Sequence, residues 1–563
     1  MKHVFRSILQ ARVAVIVATL AWFAAAAACR ANVSVSNIKL NGSATQASTA
    51  LGNGVFISYI LSDVADLGVS VNIYSNSVLV RTFSVATNAL ATNGAGLSLG
   101  TNLIFWDGKD SSSNTVGIGS YNISVTAASS GHSAWTLLTT NAIKTNLSSG
   151  GYYVYAPRGI AVDNNTNSLY YGRVFVAGAG TGYHPNTVAG DRDTILKFNA
   201  DGAAADDGTF GDGRYPMSDQ AFRLPEKLRM GDDNRLYMND RSSTGQIVAF
   251  NEQLTTNSIV LNPNNYFFNP FNFYLTANGN GWFSMDVTAS NANSGAIWLG
   301  DVDANAGVWF WNMAGGFANP ADEQGNWEVA AAVGGPLTQS ASGGLMVDSI
   351  TNVFVSQYVD ETNDNSTMLF AGGKGALPKT NAVWSAGAGD ATFGDVVDTT
   401  IDSRAHPRYV ACAMAGPTVG GIRILDAGAG TNVAANLDPA NTYWATAWDN
   451  VGNLYAASDT LHAWRVWSPR VGTNVSTTFG QASVKTVTAL TFLGVTSVNN
   501  QIAMTFTATA GTATNAFSLL SSSAVEAAFA PASGYFITNG DLPGLYVAVT
   551  TNAGGNQFFL IKH

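Results

Sequence analysis

The feature that most constrains the fold is a unit that recurs through the middle of the chain. Each unit has an apolar strand, a polar turn of Asp, Asn or Gly, and a second strand carrying aromatic or aliphatic residues. Most units add a third strand, as in DTILKFNADG and GQIVAFNEQ. Repeats of about 40 to 50 residues with several strands each are typical of β-propeller blades. The turns fall at Asp163, Asp232, Asn278, Asp348, Asp398 and Asp449.

These six turns predict a propeller of about six blades, with seven as the alternative. Two of the intervals are long, so we expect insertions near 179–221 and 303–336. No helical periodicity of useful length separates the strands, which disfavours a TIM barrel or an α/β sheet. Two segments are candidates for the strand that closes the ring, 134–139 before the repeats and 476–485 after them.

A period-two pattern occupies residues 32–130. Apolar and polar residues alternate in VFISYIL, VSVNIYS, LVRTFSV and SYNISVTA. Several such short strands with turn signals between them predict an Ig-like β-sandwich. In LIFWDGKD, Trp106 ends a strand and is expected to cover one end of the core, while Asp107-Gly108 forms the turn.

Both regions resemble known families. In the predicted sandwich, the resemblance rests on four segments: IY at 73–74, LVRT at 79–82, WDGKD at 106–110 and GSY at 119–121. With them, residues 55–130 resemble the FlgD-like immunoglobulin-like domain of the flagellar hook-capping protein. Asn114 stands where that family has a Gly, and Asn also accepts positive φ. This resemblance implies a spacer or adhesion module. The repeats resemble NHL-type six-bladed propellers, most clearly in PRGIAVD and WDNVGNLYAASD.

The N-terminus is typical of a secretory signal peptide. Lys2, Arg6 and Arg12 form a positive region that precedes an apolar stretch at 13–28, and small residues follow. The run AAAC also permits a lipid anchor at Cys29, and a retained membrane anchor is a third alternative. No later segment has the ~20 apolar residues of a membrane-spanning helix. We therefore expect an extracellular or cell-surface protein, with the periplasm as the alternative.

The last segment has its own strand pattern, in QIAMTFTAT, GLYVAVTT and NQFFLIKH. It predicts a small C-terminal β-sandwich, with a sorting or attachment role and a passive terminal domain as the two alternatives. The chain is thus predicted to be all-β. Its predicted divisions are a signal peptide at 1–31, the Ig-like sandwich at 32–130, the propeller at 131–485 and the terminal sandwich at 486–563.

Composition excludes some functions. Net charge is −10, from 27 Lys and Arg against 37 Asp and Glu, so a nucleic-acid partner is not expected. HExxH, Walker A and CxxC motifs are absent from the sequence. The stretch GHSAW at 131–135 lacks the last Gly of a nucleophile elbow. Cys412, in RYVACAMAG, is expected to be an inert core residue.

Propeller geometry nominates ligand-binding residues at the start of each innermost strand. Cations, an amide and aromatic rings at such positions suit an anionic sugar or another polar ligand, and a water-filled channel is the alternative. Three further candidates, Asp240, Arg241 and Asp286, lie near the ends of predicted second strands. The residues five positions before the turns are Arg158, Lys227, Asn272, Gly343, Phe393 and Trp444.

A calcium site is the one cofactor the sequence suggests. Asp301, Asp303 and Asn305 place three oxygen ligands at alternate positions of a polar turn, a spacing that hard cations use. No bidentate Glu follows, because position 312 is Asn. A blade turn without metal is the alternative.

Two functions remain open from the sequence. The first is an exported binding or surface-interaction protein, with the propeller as the platform for a polysaccharide or a cell-surface protein. The second is an extracellular polysaccharide lyase or hydrolase that acts at the channel mouth. Propellers host many functions, and the missing catalytic motifs favour binding.

Overall fold

A computed structural model defines the fold. It describes residues 33–42, 46–50, 53–85, 97–142, 156–178, 194–205, 214–216, 225–240, 246–261, 284–291, 294–301, 307–312, 327–329, 342–348, 352–357, 367–371, 382–387, 390, 392–402, 409–416, 419–469, 474–487, 491–498, 501–508, 514–523, 530–539, 545–551 and 558–562. Regular structure in these ranges is β-strand, apart from one 3₁₀ helix at Thr514–Ala516. The all-β prediction is confirmed.

The N-terminal domain is a β-sandwich. One sheet has the order β1-β3-β6, and β2, β4, β5 and β7 belong to the other. The side chain of Trp106 at the end of β6 is fully buried between the sheets, and its indole N–H donates to the Lys109 carbonyl at 2.9 Å. Positive φ falls at Ser113, so Asn114 does not use the conformation expected for it. The first seven strands are β1 (Val35–Leu40), β2 (Gln46–Ala50), β3 (Val55–Leu61), β4 (Gly68–Ser75), β5 (Val78–Val85), β6 (Gly100–Trp106) and β7 (Gly119–Ser129).

Six four-stranded antiparallel sheets of the described residues follow, and we call them blades 1 to 6. The strands of the first three blades are β9 (Pro157–Val162), β10 (Val174–Gly178), β11 (Thr194–Phe198) and β12 (Arg214–Pro216); β13 (Pro225–Met230), β14 (Arg235–Asp240), β15 (Ile247–Asn251) and β16 (Asn257–Leu261); and β17 (Ser284–Asn291), β18 (Ser294–Asp301), β19 (Gly307–Asn312) and β20 (Trp327–Val329).

Blade 6 combines strands from both ends of the repeat region, because its fourth strand is β8 (Thr136–Ala142). The other strands of blades 4 to 6 are β21 (Ser342–Val347), β22 (Val353–Gln357), β23 (Thr367–Phe370) and β24 (Trp384–Ala386); β25 (Val396–Ile401), β26 (Tyr409–Ala415), β27 (Gly420–Asp426) and β28 (Asn432–Leu437); and β29 (Tyr443–Trp448), β30 (Leu454–Ser458) and β31 (Ala463–Ser468).

The blades form a closed ring. The first strand of each blade packs against the first strand of the next, and β29 packs against β9 to complete the circle. Apolar side chains fill the spaces between blades, as in the core that joins blade 1 to blade 6 around Trp464. Gly344 permits one close approach, because a Cβ there would lie 2.3 Å from Thr399 Oγ1 of blade 5. The six-bladed propeller is therefore confirmed.

The ring is closed by the N-terminal candidate strand. β8 pairs with β31 along its length, from Thr136 opposite Ser468 to Ala142 opposite Ala463. The other candidate segment, 476–485, lies in β32 (Asn474–Val487), which pairs antiparallel with β7 and parallel with β2. The sandwich thus takes its last strand from beyond the propeller, whereas the sequence prediction placed this segment at the end of the propeller domain.

In three blades the structure places the turn or the strands at other residues than the sequence repeats predicted. In blade 2 the turn begins at Gly231, whose N–H donates to the Arg235 carbonyl, and not at Asp232. In blade 5 the equivalent residue is Asp402, while Asp398 lies inside β25. In blade 3 the segment predicted as a second strand contributes to the first strand, β17, and Asn278 lies outside the described residues.

The sandwich contacts one end of the ring. We call this the turn end, because the first strands finish there. Asn453 of blade 6 donates to Ser62 Oγ at 3.3 Å, and Thr101 donates to Asp201 of blade 1 at 2.8 Å. Gly172 has φ of 81°, and a Cβ there would lie 2.6 Å from the Ser36 Cβ.

The C-terminal domain is a second, smaller sandwich. Its sheets have the orders β33-β34-β38-β37 and β36-β35-β39. In its core Phe506 stacks on Tyr546, and Phe517 meets the Phe506 ring edge-on. Its strands are β33 (Thr491–Val498), β34 (Gln501–Thr507), β35 (Ser518–Ser522), β36 (Ala530–Pro531), β37 (Phe536–Asn539), β38 (Leu545–Thr551) and β39 (Phe558–Lys562).

Candidate functional site

The six first strands enclose a channel, and its turn end holds a cavity of about 830 Å³. We call this cavity the turn chamber. Residues from the later part of all six first strands line it, together with Ala296 and Trp298 of β18, and the wall mixes apolar with polar side chains. Its rim is polar and includes Asn164, Asn165, Asp232 and Asp348. A concave, mainly apolar space with a few polar groups is the usual form of a ligand site.

A buried ion cluster crosses the channel at the base of the chamber. Arg229 of blade 2 reaches across the ring to blade 5, where its Nη2 lies 2.6 Å from Asp398 Oδ1. Its Nε lies 3.6 Å from Asp286 Oδ1 of blade 3. Each of these three side chains is at most 8% exposed. We call them the cross-channel cluster.

The two carboxylates of this cluster also join neighbouring blades. Asp286 Oδ2 accepts the Val347 N–H of blade 4 at 2.7 Å, and Asp398 Oδ2 accepts the Thr446 N–H of blade 6 at 2.8 Å. Three of the four carboxylate oxygens of the cluster therefore accept a hydrogen bond of 2.6–2.8 Å, and the fourth, Asp286 Oδ1, lies 3.6 Å from Arg229 Nε. Burial raises the pKa of Asp286 to about 6, against the opposing effect of Arg229. Burial lowers the pKa of the Arg229 guanidinium, but the two aspartates outweigh this effect and the net shift is upward.

The other end of the channel, which we call the start end, brings together three predicted residues. The Arg158 guanidinium lies 3.3 Å from the Trp444 ring centroid, a cation–π contact. The Lys227 ammonium donates to the carbonyls of Trp444, at 2.6 Å, and of Arg158, at 3.4 Å. Lys227 is fully buried, and burial lowers its pKa to about 8. These residues do not line the turn chamber.

The remaining nominated residues are dispersed or outside the described ranges. Asp240 is fully buried at the end of β14, and its N–H donates to the Gln246 carbonyl. Phe393 is buried between blades 4 and 5. Asp301 ends β18, with its backbone opposite Gly307. Arg241, Asn272, Asp303 and Asn305 lie outside the described residues, as do the signal peptide and Cys29.

The acidic turn positions have structural partners. Asp449 accepts the N–H groups of Val451 and Asn453 and the side-chain amide of Asn453. Asp348 makes the equivalent bonds with Asn352. Their carboxylates thus satisfy the backbone of their own turns, which explains why an acidic residue recurs there.

Sequence reasoning missed Arg229 and Asp398 as channel residues. The available signal was charge inside an otherwise apolar first strand, in EKLRMGDD and in GDVVDTTID. Charged residues are rarely buried unless they are paired, so such positions predict an ion pair even when the partner is unknown.

The calcium prediction stays untested. Among the described residues, no group of three or more His, Cys, Asp or Glu side chains could hold a metal ion. Cys412 is free and buried, and burial raises the pKa of its thiol to about 12. No helix in the described ranges is long and apolar enough to cross a membrane.

Comparisons add little to this geometry. No protein-family model matches the chain, and no curated protein matches it. A solved WD40 beta-propeller domain of Doa1 is 12% identical, with a TM-score of 0.35, over 60% of this chain and 97% of that one. An iodide structure of a Trichoderma reesei carbohydrate-active enzyme of family AA12 is 14% identical, with a TM-score of 0.34, over 60% and 97%. A calcium structure of that family is 13% identical, with a TM-score of 0.32, over 60% and 96%. Because these TM-scores are below 0.5, the assignment of the fold as a propeller rests on the six sheets and the closed ring that they form.

Proposed function

We propose that this protein is an exported binding protein that holds part of a carbohydrate or protein ligand in the turn chamber of its propeller. The observation that carries the proposal is the chamber itself, which is blocked at its base by the cross-channel cluster and bordered by a polar rim. The ligand enters at the turn end and stops at Arg229. The start-end residues Arg158, Lys227 and Trp444 then have a structural role.

Binding is favoured over hydrolysis by the state of the buried carboxylates. A glycosidase needs one carboxyl group to donate a proton and another to act as base or nucleophile on the substrate. In the cross-channel cluster both carboxylates, Asp286 and Asp398, already pair with Arg229 and accept a backbone N–H of the next blade. Freeing one of them would leave a buried charge without its partner, which is costly.

Export and the family resemblances belong to the same proposal. The N-terminal segment supports secretion or a surface anchor, and the first sandwich resembles the FlgD-like module that acts as a spacer. The repeat resembles NHL-type propellers. A sandwich standing on the turn end of blades 1 and 6 would present the chamber at a fixed orientation to a polymer or a cell surface.

The test is a glycan array probed with the purified full chain, with and without calcium, followed by mass spectrometry of each bound glycan. Intact retained glycans would support the proposal. Shortened or unsaturated products would overturn it in favour of the enzyme. Binding to no glycan would exclude the carbohydrate form and direct the search to surface proteins.

A further inference from the structure

The seam between blades 1 and 6 carries two polar atoms of the turn chamber that lack hydrogen-bond partners. Asn164 follows β9, and its Nδ2 donates to the Trp448 carbonyl at the end of β29, at 2.7 Å. Because only the amide nitrogen can donate to a carbonyl, this bond leaves Asn164 Oδ1 as an acceptor. Asn164 Oδ1 and Trp448 Nε1 are buried, and neither has a hydrogen-bond partner in the part of the chain that the structure describes. Both residues line the chamber.

The Trp448 indole is held firmly in the chamber wall. It is 5% exposed, its ring stacks on Tyr409 at 6.4 Å between centroids, and it meets Trp135 edge-on at 6.3 Å. These contacts fix the direction of the indole N–H, so the side chain does not turn to find an acceptor elsewhere. A buried donor without a partner is unfavourable, and native proteins satisfy most such groups with a ligand, a water or another side chain.

The position of these two atoms, and not their unpaired state alone, indicates a ligand. Trp464 Nε1 on the same blade is also buried and unpaired among the described residues. Trp464, however, packs in the apolar core between blades 1 and 6 and is not among the described residues that line the chamber. At the chamber a donor and an acceptor occur on one seam. Hydroxyl groups accept from an N–H and donate to an amide oxygen, and they therefore suit both atoms.

The charge of the chamber disfavours an acidic ligand. Arg229 is the one cation among the described residues that line the chamber, and it already pairs with Asp286 and Asp398. Four carboxylates line the same space, so an approaching carboxylate or sulfate group meets net repulsion. The cations that favoured an anionic sugar in the sequence, Arg158 and Lys227, lie at the start end. The lining carboxylates are Asp163, Asp232, Asp286 and Asp348.

Two indoles border the chamber on opposite sides of the ring. Trp448 belongs to blade 6, and Trp298 of β18 belongs to blade 3, which lies across the ring from blade 6. Indole rings pack against the apolar C–H face of a sugar ring, whose hydroxyls lie around its edge and stay available for hydrogen bonds. A sugar unit therefore makes both kinds of contact. A lysine or arginine side chain brings donors and no acceptor for Trp448 Nε1.

We propose that the turn chamber binds a neutral or amine-bearing sugar unit, whose hydroxyl groups are recognised by Trp448 Nε1 and Asn164 Oδ1. The inference rests on the proposed function and narrows its ligand to a carbohydrate without acidic groups. Trp448 and Asn164 are then specificity-determining residues, because a sugar that lacks the recognised hydroxyl leaves these atoms unpaired in the complex.

Oligosaccharide binding by the purified full chain tests the charge preference. The probes are cello-, manno-, xylo- and galacto-oligosaccharides as neutral sugars, chitosan oligosaccharides as amine-bearing sugars, and oligogalacturonate and oligoalginate as acidic sugars. We expect the acidic probes to bind at least tenfold more weakly than the best neutral or amine-bearing probe. Tightest binding of an acidic probe would overturn the inference and leave the proposed function standing. Binding of no probe would overturn the inference together with the carbohydrate form of the proposed function.

A second test removes the indole N–H alone. Trp448→Phe keeps an aromatic ring in the wall, and isothermal titration with the tightest-binding probe should show about 2- to 13-fold weaker affinity, the effect of losing one neutral hydrogen bond. Trp464→Phe is the matched control, because it removes an unpaired N–H from the same blade away from the chamber, and it should bind as the wild type. Wild-type affinity in a folded Trp448→Phe variant would overturn the inference and would show that water alone pairs with these atoms.

Monodeoxy forms of the tightest-binding probe keep the test decisive if Trp448→Phe fails to fold. We expect the removal of one particular hydroxyl to weaken binding to the wild type by at least threefold. Equal affinity for the parent probe and every monodeoxy form would overturn the inference. In a folded Trp448→Phe variant, the difference between the parent probe and that monodeoxy form should shrink, because the indole N–H no longer distinguishes them.

Discussion

Replacing Arg229 with Met should destabilise the propeller strongly, because this guanidinium is the cation between two buried carboxylates. Arg229 lies 2.6 Å from Asp398 and 3.6 Å from Asp286, and the carboxylates are 0% and 5% exposed. Removing one partner from a buried ion pair costs about 3–5 kcal/mol. At 1.36 kcal/mol per tenfold, this corresponds to about a 150- to 5,000-fold rise in the unfolded fraction.

The assay is urea unfolding of the full chain, followed by tryptophan fluorescence at pH 8 and pH 5. The loss should be smaller at pH 5, because burial raises the pKa of Asp286 to about 6 and its carboxyl is then largely protonated. Combining Arg229→Met with Asp286→Asn and Asp398→Asn should restore at least half of the lost stability. Arg81→Met in the first sandwich is the control, since its pair with Asp107 is more exposed, at 24% and 39%, and should contribute less than about 1 kcal/mol.

An Arg229→Met variant within about 1 kcal/mol of the wild type would refute this reasoning. So would a loss of stability that is the same at both pH values and is not reduced by the two Asn substitutions. Either result would mean that the cross-channel cluster does not hold the blades together.

Four further outcomes are expected. Lys227→Met leaves two backbone carbonyls without their donor and should lower the free energy of unfolding by about 1–3 kcal/mol, measured by urea titration. Asp286→Asn should remove the part of the stability that declines as pH rises from 3.8 through about 6; an unchanged stability–pH curve would contradict this. Gly172→Ala meets Ser36 at positive φ and should cost about 1–3 kcal/mol, seen as a lower melting temperature. A chain ended after residue 473 lacks β32, so its first sandwich should be cut readily by protease, whereas a chain ended after 488 should resist.

The repeats could be predicted because their signals are local. An apolar strand, an acidic turn and a second strand are contiguous, so six blades and their order followed from the sequence alone. The turn residues of blades 2 and 5 could not be predicted from the sequence. In blade 2, Gly231 stands at the position that Asp occupies in other turns, and in blade 5, Asp398 is an acidic residue inside a strand. A local pattern cannot separate a carboxylate that caps a turn from one that forms an ion pair.

The site and the last sandwich strand could not be predicted for a different reason. Arg229 and Asp398 are 169 residues apart, and only the closure of the ring brings them together. β32 has the same alternating pattern whether it closes a propeller or completes a sandwich, and its partner β7 lies more than 300 residues earlier. Long-range pairing of this kind leaves no trace in the periodicity of either segment.

The most direct test of the proposed function is to fill the turn chamber and measure binding of a glycan or protein recovered in the screen. Ala447→Phe adds a ring to the chamber wall, and Ala429→Phe adds the same ring to an exposed outer turn of blade 5. Isothermal titration should show at least a tenfold weaker affinity for the first variant and wild-type affinity for the second. Wild-type affinity in a folded Ala447→Phe variant would show that the ligand binds elsewhere and would contradict the chamber as the binding site.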